Sequence, residues 1–297
     1  MTGRPQGPRL LLVPLMAVVA VLAACAMPQR PDTSGMSFSE APLVGKVVWS
    51  DLVTEDLAAA RRFYEGMFGW SFEESQGPGR RPYLLARSGG VFVAGLVSVE
   101  PRPDGVTLSR WLPYVSVRDV DAAAAKAVAG GGRIAAAPRD VPLGRVAAIL
   151  DPEGAVIGLA RSNIGDPDDA TTAPGIGRRV WTELLSGDPQ AAAAFYAAVV
   201  GYEARRIERR GGEYTKLASG GIDRAGILAN PTGDWSPMWL TSFGVEDAGA
   251  AAARAASLGG RVLLDATPEV REGTMAVVTD PSGAVLVLQE VPKGEGR

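Results

Sequence analysis

The sequence contains no histidine and only one cysteine in 297 residues. Without histidine, the chain lacks the side chain that most often transfers protons near neutral pH and binds metals through nitrogen. With a single cysteine it can form no internal disulfide. A formal net charge of −3, with no dense basic run, gives no general attraction to nucleic acid. We therefore expect no nucleic-acid partner and no histidine- or cysteine-based catalysis.

Residues 1–24 are typical of a signal peptide. Two arginines precede an apolar run from Leu10 to Leu22, which is shorter than the roughly 20 residues that a membrane-spanning helix needs. The run ends in Leu22-Ala23-Ala24-Cys25, which resembles the bacterial lipobox, a signal whose cysteine is lipidated. We predict a lipid anchor at Cys25 that holds an extracytoplasmic protein to a bacterial membrane, at the periplasmic face or the cell surface. The alternative is an ordinary secretion signal with a cysteine near its end by chance.

Composition divides the rest of the chain into two large segments. Residues 25–43 are rich in proline and serine and are predicted to form a flexible tether. The first domain is predicted at residues 44–162 and the second at 177–292, joined by a linker at 163–176. This length allows each domain to bury a core of its own.

The two segments repeat one pattern. Residues Trp49–Asp56 and the pair Phe63-Tyr64 return as Trp181–Asp188 and Phe195-Tyr196, at an offset of 132 residues. The correspondence continues through a Gly-Gly-Arg segment and a closing Asp-Pro-x-Gly-Ala segment in each copy. A fixed long period indicates a duplicated structural unit.

Each copy contains two smaller units of one kind. Lys46–Leu52 alternates as a strand, and Asp56 is placed to cap the helix that follows. Asp188 precedes Pro189 at the equivalent helix start, and Asp119 begins an alanine-rich helix. Further strand-like runs follow each helix. The predicted pattern is strand, helix and up to three strands, repeated four times.

The ordered set of motifs resembles the vicinal oxygen chelate superfamily, which includes glyoxalases, bleomycin-resistance proteins and dioxygenases. The resemblance rests on the Phe-Tyr and Gly-Trp or Gly-Tyr helix ends, the Val-x-Asp helix starts, the Gly-Gly-Arg segments and the Asp-Pro-x-Gly-Ala turns. It implies an α+β fold of two tandem glyoxalase-like domains, each with two βαβββ units that form a curved, cup-shaped mixed sheet.

The resemblance also implies where a metal would bind. Metal-using members hold a divalent ion with four side chains, usually His, Gln or Glu, from four strands of one cup. The matching positions in this chain carry no such ligands; they are Trp49, Gly95, Leu112 and Gly158 in the first copy and Trp181, Gly226, Leu240 and Val287 in the second. We therefore expect no metal and no other cofactor, and we do not carry the family's metal-dependent reactions over to this chain.

An acidic residue lies near a tryptophan at the start of each copy. Strand alternation places Asp51 on the same face as Trp49, and Glu183 on the same face as Trp181. A carboxylate between aromatic faces suits a cationic or polar-aromatic ligand. The predicted ligand-binding set also includes further aromatic residues, namely Tyr83, Trp111 and Tyr114 in the first copy and Tyr214 and Trp239 in the second.

A structural explanation competes for the same residues. The tryptophans would then fill the cups as packing, and the two carboxylates would pair with an arginine such as Arg110 or Arg178 across the domain interface.

Three functions remain open from the sequence. The leading hypothesis is a membrane-tethered module that binds or sequesters a small molecule. The second is a metal-independent lyase, isomerase or oxygenase-type enzyme of the same superfamily, and the third is a scaffold for a partner protein. Self-association into a homo-oligomer is left open.

Overall fold

The computed structural model describes Thr33 and residues 36–76, 81–104, 107–169, 175–209, 212–230, 235–269 and 271–291. The predicted signal peptide and Cys25 lie outside these residues. Within them, no helix combines the length and the apolar character needed to cross a membrane.

The first copy folds as two βαβββ units in sequence. The first unit contains β1 (Val47–Thr54), α1 (Leu57–Phe68), β2 (Ser71–Gln76), β3 (Pro82–Ser88) and β4 (Val91–Ser98). The second contains β5 (Arg110–Ser116), α2 (Val120–Ala129), β6 (Arg133–Val141), β7 (Gly144–Leu150) and β8 (Val156–Ser162).

The second copy repeats this order. Its first unit contains β9 (Arg179–Ser186), α3 (Pro189–Val200), β10 (Glu203–Arg209), β11 (Gly212–Ser219) and β12 (Ile222–Ala229). Its second contains β13 (Met238–Val245), α4 (Ala248–Ser257), β14 (Arg261–Leu264), β15 (Met275–Thr279) and β16 (Val285–Glu290), with a short 3-10 helix at Arg271–Gly273 before β15.

Each copy forms one eight-stranded mixed sheet. The first sheet has the order β2-β3-β4-β1-β5-β8-β7-β6, and the second has the equivalent order β10-β11-β12-β9-β13-β16-β15-β14. The central strand β1 pairs in parallel with β4 and antiparallel with β5. The α+β fold of two tandem domains, which the family resemblance implies, is confirmed.

Aspartates begin the helices as the sequence predicts. The Asp56 carboxylate accepts the Ala59 amide at 2.8 Å, and Asp119 does the same for Ala122 at 2.9 Å. Asp188 accepts from the first turn of α3, which starts at Pro189. These side chains satisfy amide groups that have no partner within the helix.

In the first copy, two strands lie at positions where the sequence shows no strand-like run. Ser71–Gln76 and Arg133–Val141 form β2 and β6, the outermost strands of the first sheet. Edge strands need little apolar character because much of their surface is solvated. Their mixed sequences therefore gave no alternating signal.

The hydrophobic cores differ from the expectation that each domain buries its own. One core joins the first unit of the first copy to the second unit of the second copy, and it contains Tyr64 and Trp70 beside Phe243 and Leu286. Trp111, from β5 of the first copy's second unit, also packs into this core. The other core joins the two remaining units. Each core therefore contains residues of both copies, so the two copies pack together as a single unit.

The recurring tyrosine and aspartate of the repeat meet across the copies. The Tyr196 hydroxyl donates to Asp151 at 3.0 Å and accepts from the Trp239 indole N–H at 2.9 Å. Tyr64 makes the equivalent contacts with Asp280 at 3.4 Å and with the Trp111 indole at 3.0 Å. These buried links tie the Phe-Tyr motif of one copy to the Asp-Pro turn of the other.

Part of the predicted tether is packed against the body of the protein. The Leu43 amide donates to buried Asp166 at 2.7 Å, and the Ser39 amide donates to the Asp166 carbonyl at 2.8 Å. Phe38 forms a β-bridge with Pro167. The linker between the copies therefore supplies hydrogen-bond partners for the last part of the predicted tether.

Candidate functional site: two cups of different charge

Strand register places the predicted site residues on the sheet face opposite the helices. Asp51 lies beside Gly95 of β4 and opposite Leu112 of β5, while Trp49 lies opposite Tyr114. Leu52, the neighbour of Asp51, packs into the core on the helix side. Since side chains alternate along a strand, Trp49 and Asp51 face away from the helices. We call the face that carries Trp49, Asp51, Tyr83 and Tyr114 the first cup.

The first cup is organised around the Asp51 carboxylate. Its Oδ1 accepts the Tyr83 hydroxyl at 2.7 Å and the Trp49 indole N–H at 2.8 Å. Tyr114, which lies opposite Trp49 on β5, also favours the charged form of this carboxylate. All four side chains are partly exposed. Among the described residues, Asp51 forms no ion pair with a lysine or arginine. The result is a partly buried aspartate whose carboxylate is surrounded by aromatic rings.

Burial changes the acidity of this carboxylate. Desolvation raises the pKa of Asp51 above its usual range. The contacts with Tyr83, Trp49 and Tyr114 and the positive charge of Arg139 oppose that rise, because they stabilise the charged form. A cation placed against Asp51 would restore the favourable electrostatics that burial removes.

The equivalent face of the second sheet, which carries Trp181, Glu183 and Tyr214, forms the second cup. The Tyr214 hydroxyl donates to Glu183 at 3.1 Å and accepts the Trp181 indole N–H at 2.8 Å. In contrast to Asp51, Glu183 is only 2% exposed and is paired with Arg271, whose Nη2 lies 2.9 and 3.0 Å from the two carboxylate oxygens. The sequence suggested Arg110 or Arg178 as partners for the two carboxylates. That suggestion is wrong, because Arg110 donates to the Leu108 carbonyl and Arg178 to the Ser88 carbonyl.

A cavity of about 270 Å³ opens in the second cup. It is lined by an indole, three cationic side chains and one carboxylate, namely Trp181, Arg209, Lys216, Arg271 and Asp223. The guanidinium of Arg209 lies 3.7 Å from the centre of the Tyr214 ring. The two cups therefore differ in charge, although the same duplicated strands build them.

Two of the predicted site residues do not reach either cup. Trp111 is 3% exposed and lies against Tyr64 and Phe243 on the helix side, with ring centres 5.4 and 4.9 Å away. Trp239 is 4% exposed and packs against Tyr196 in the same way. Both tryptophans belong to the cores, because each occupies an alternate strand position that faces the helices.

Known proteins are similar to this chain in sequence and in architecture. Residues 46–159 match the Glyoxalase/Bleomycin resistance protein/Dioxygenase superfamily, and residues 181–288 match the Glyoxalase-like domain. The chain is 37% identical over 252 residues to "Putative glyoxylase CFP32" of Mycobacterium bovis, covering 82% of this chain and 95% of the relative. The chain belongs to the glyoxalase/bleomycin resistance protein/dioxygenase superfamily.

Other relatives of the chain have different names. The chain is 32% identical over 261 residues to the anthracycline biosynthesis protein DauV of Streptomyces sp. strain C5, covering 83% of this chain and 94% of the relative. A solved structure with the same fold is the Mn(II)-bound glyoxalase from Novosphingobium aromaticivorans, with a TM-score of 0.53 and 17% identity over 83% of this chain and 82% of that one. The 2,3-dioxygenase LapB from Pseudomonas sp. KL28 has a TM-score of 0.54 and 13% identity, over 86% and 96% of the two chains.

The metal site found in many superfamily members does not fit these cups. A side chain at Gly95 would place its Cβ 1.8 Å from the Tyr83 hydroxyl and 2.3 Å from Asp51 Oδ1. A Cβ at Gly226 would lie 1.8 Å from the Tyr214 hydroxyl. The tyrosines therefore occupy the space in which a ligand from β4 or β12 would extend. Among the described residues, no group of three or more Asp, Glu, His or Cys side chains is arranged to hold an ion.

Sequence reasoning missed the cationic residues of the second cup. Lys216 pairs with Gly226 across β11 and β12, whereas Leu85 pairs with Gly95 at the equivalent place in the first copy. An alignment of the two copies at these strands would have shown this exchange of leucine for lysine. Arg271 gave no such signal, because it lies in a loop where the copies differ in length.

Proposed function

We propose that this protein binds or sequesters a small polar-aromatic or cationic molecule, and that the first cup receives the cationic group. The carboxylate of Asp51 carries the proposal, since it lies among three aromatic side chains without an ion-pair partner in the described part of the chain. Cations bind aromatic faces through the negative potential of the ring, and a nearby carboxylate adds charge attraction. The name of the DauV relative, which refers to anthracycline biosynthesis, is consistent with an aromatic ligand.

Matched probes test the first cup. Phenethylamine and 2-phenylethanol share a phenyl ring and differ in one amine, so isothermal titration of the full chain with each separates charge from ring recognition. We expect the amine to bind more tightly and Asp51→Asn to weaken it by about tenfold or more, which corresponds to roughly 1.4 kcal/mol. The Asp56→Asn variant is the control, since an exposed asparagine caps a helix as well as aspartate does.

The pH dependence of amine binding has a defined sign. Only the ionised Asp51 attracts the amine, so affinity is present above the pKa of Asp51 and is lost as pH falls through it. Because burial raises that pKa, the loss begins at a higher pH than for an ordinary aspartate. The Asp51→Asn variant should show no such dependence. Equal binding of the amine and the alcohol, or full amine binding by Asp51→Asn, would remove the first cup from the proposal.

A metal-independent enzyme is the second candidate, and the name of the mycobacterial relative favours an enzyme over a binding protein. Turnover of an α-ketoaldehyde or a related substrate that persists after exhaustive chelation would support this candidate. Such turnover should be tested in wild type and in Asp51→Asn and Tyr83→Phe variants.

We also propose that Cys25 carries a lipid anchor and that the folded body lies outside the cytoplasm. The apolar run, the small residues before the cysteine and the absence of any other cysteine support this proposal. Expressed in a bacterial host, wild type should fractionate with membranes, whereas Cys25→Ser should not be lipidated. Incorporation of labelled palmitate into wild type alone is the expected measurement, and equal labelling of both proteins would contradict the anchor.

A further inference from the structure

The second cup has more cationic side chains than the first, in which Arg139 is the cation that acts on Asp51. Lys216 stands beside Gly226, at the register position that Leu85 occupies beside Gly95. Arg209 and Arg271 also line the cavity, with Trp181 as its aromatic wall. The cavity therefore has three cationic side chains, whereas the first cup is centred on an acid.

The carboxylates of the second cup are already occupied by the protein's own cations. Asp223 accepts from Lys216 and, at 3.2 Å, from Arg205. Glu183 is enclosed by Arg271 and Tyr214. Arg209 is exposed, lies over the Tyr214 ring and has no ion-pair partner among the described residues. The cavity therefore keeps a surplus of positive charge after the internal pairs are counted.

The segment that presents Arg271 is held in a disfavoured backbone conformation. Arg271 and Glu272 have φ angles of 43° and 60°, in the left-handed region that non-glycine residues rarely adopt. The Thr274 hydroxyl donates to the Arg271 carbonyl at 2.6 Å, and the Arg271 guanidinium donates to Gln289 at 3.3 Å. These contacts hold Arg271 in the lining of the cavity, beside Glu183.

We propose that the second cup binds a small aromatic carboxylate, with its ring against Trp181 and its carboxylate between Arg209 and Lys216. The volume of about 270 Å³ is just below the range for drug-sized ligands, roughly 300–1,000 Å³, which suits a small ligand. The fork of an arginine guanidinium matches the two oxygens of a carboxylate, which makes Arg209 the main anchor. This site is separate from the first cup, and it stands or falls independently of the amine site there.

The test uses the same phenyl series with the opposite charge. Isothermal titration of the full chain at low salt compares phenylacetate with 2-phenylethanol. We expect phenylacetate to bind more tightly, Arg209→Gln to weaken it about fivefold and Arg209→Gln/Lys216→Gln about tenfold or more, since each removes a charge-assisted contact. The control is Arg206→Gln, which lies on the same strand and pairs with Glu213 at 3.1 Å instead of lining the cavity.

Each outcome decides the proposal. Weakening in the cavity variants with unchanged phenethylamine binding supports two sites of opposite charge. Phenylacetate binding that is absent at millimolar concentration, no tighter than that of the alcohol, or unchanged in Arg209→Gln overturns the anion site. Because Arg209 is exposed at the end of β10, its variant is expected to fold, and its melting curve checks this. Loss of amine binding in Asp51→Asn alone would concern the first cup only.

Discussion

Replacement of Phe243 by alanine is expected to lower the free energy of unfolding of the whole protein by about 3–5 kcal/mol. Phe243 belongs to the second copy and is 1% exposed, yet its ring lies 5.4, 5.7 and 4.9 Å from the rings of Phe68, Trp70 and Trp111 in the first copy. The alanine removes most of the second copy's aromatic contribution to this cluster and leaves a cavity between the copies. Chemical denaturation followed by tryptophan fluorescence measures the loss.

The number of transitions in the unfolding curve also tests whether the two copies share their cores. If each core spans both copies, wild type and Phe243→Ala should each unfold in one transition, with the midpoint of the variant shifted. Ile222→Ala is the control, because Ile222 is 48% exposed and its loss should change stability by no more than about 0.5 kcal/mol. Two separate transitions, with only one of them moved by Phe243→Ala, would show that the copies fold independently.

Much of the fold could be predicted because the repeated motifs indicate where the helices begin. Asp56, Asp119 and Asp188 cap helices as their positions in the sequence indicated. The same repeat could not show that each hydrophobic core combines one unit from each copy. The sequence records that Tyr64 and Asp280 each belong to a motif, but only the three-dimensional arrangement shows that these motifs meet across the copies.

Part of the candidate site could also be predicted, because side chains alternate between the two faces of a strand. Alternation along β1 placed Trp49 and Asp51 on one face, and the structure joins them through a hydrogen bond. Trp111 lies on the opposite face of the sheet, because it pairs with Leu52 of β1. The sequence could not show this, since it does not give the register between β1 and β5. The ion pair of Glu183 with Arg271 bridges 88 positions in sequence, and no local pattern predicts a contact of that range.

Replacement of Asp280 by asparagine is expected to remove a pH-dependent part of the protein's stability. Burial raises the pKa of Asp280 to about 6, from an ordinary value of 3.8. The folded protein therefore binds this proton more tightly than the unfolded chain does, and stability falls as pH rises from about 4 to about 6. Two pKa units correspond to nearly 3 kcal/mol, which is the upper limit of the effect.

Asparagine suits this test because it is neutral throughout and can keep the turn. Asp280 Oδ1 accepts the amides of Ser282 and Ala284 at 2.9 and 3.0 Å, and the amide oxygen of asparagine can accept both. A pH-independent change in the contact with Tyr64 would shift the whole curve without changing its slope. Denaturation midpoints between pH 4 and 7 should therefore show the variant gaining stability relative to wild type as pH rises through about 6.

The control for this measurement is Asp247→Asn, an exposed aspartate that caps α4 and can be replaced by an equally good cap. It should follow wild type at every pH. Parallel curves for wild type and Asp280→Asn would show that the carboxylate is no harder to ionise in the folded protein than in the unfolded chain. The buried link between Tyr64 and Asp280 would then make no pH-dependent contribution to the stability of the junction between the copies.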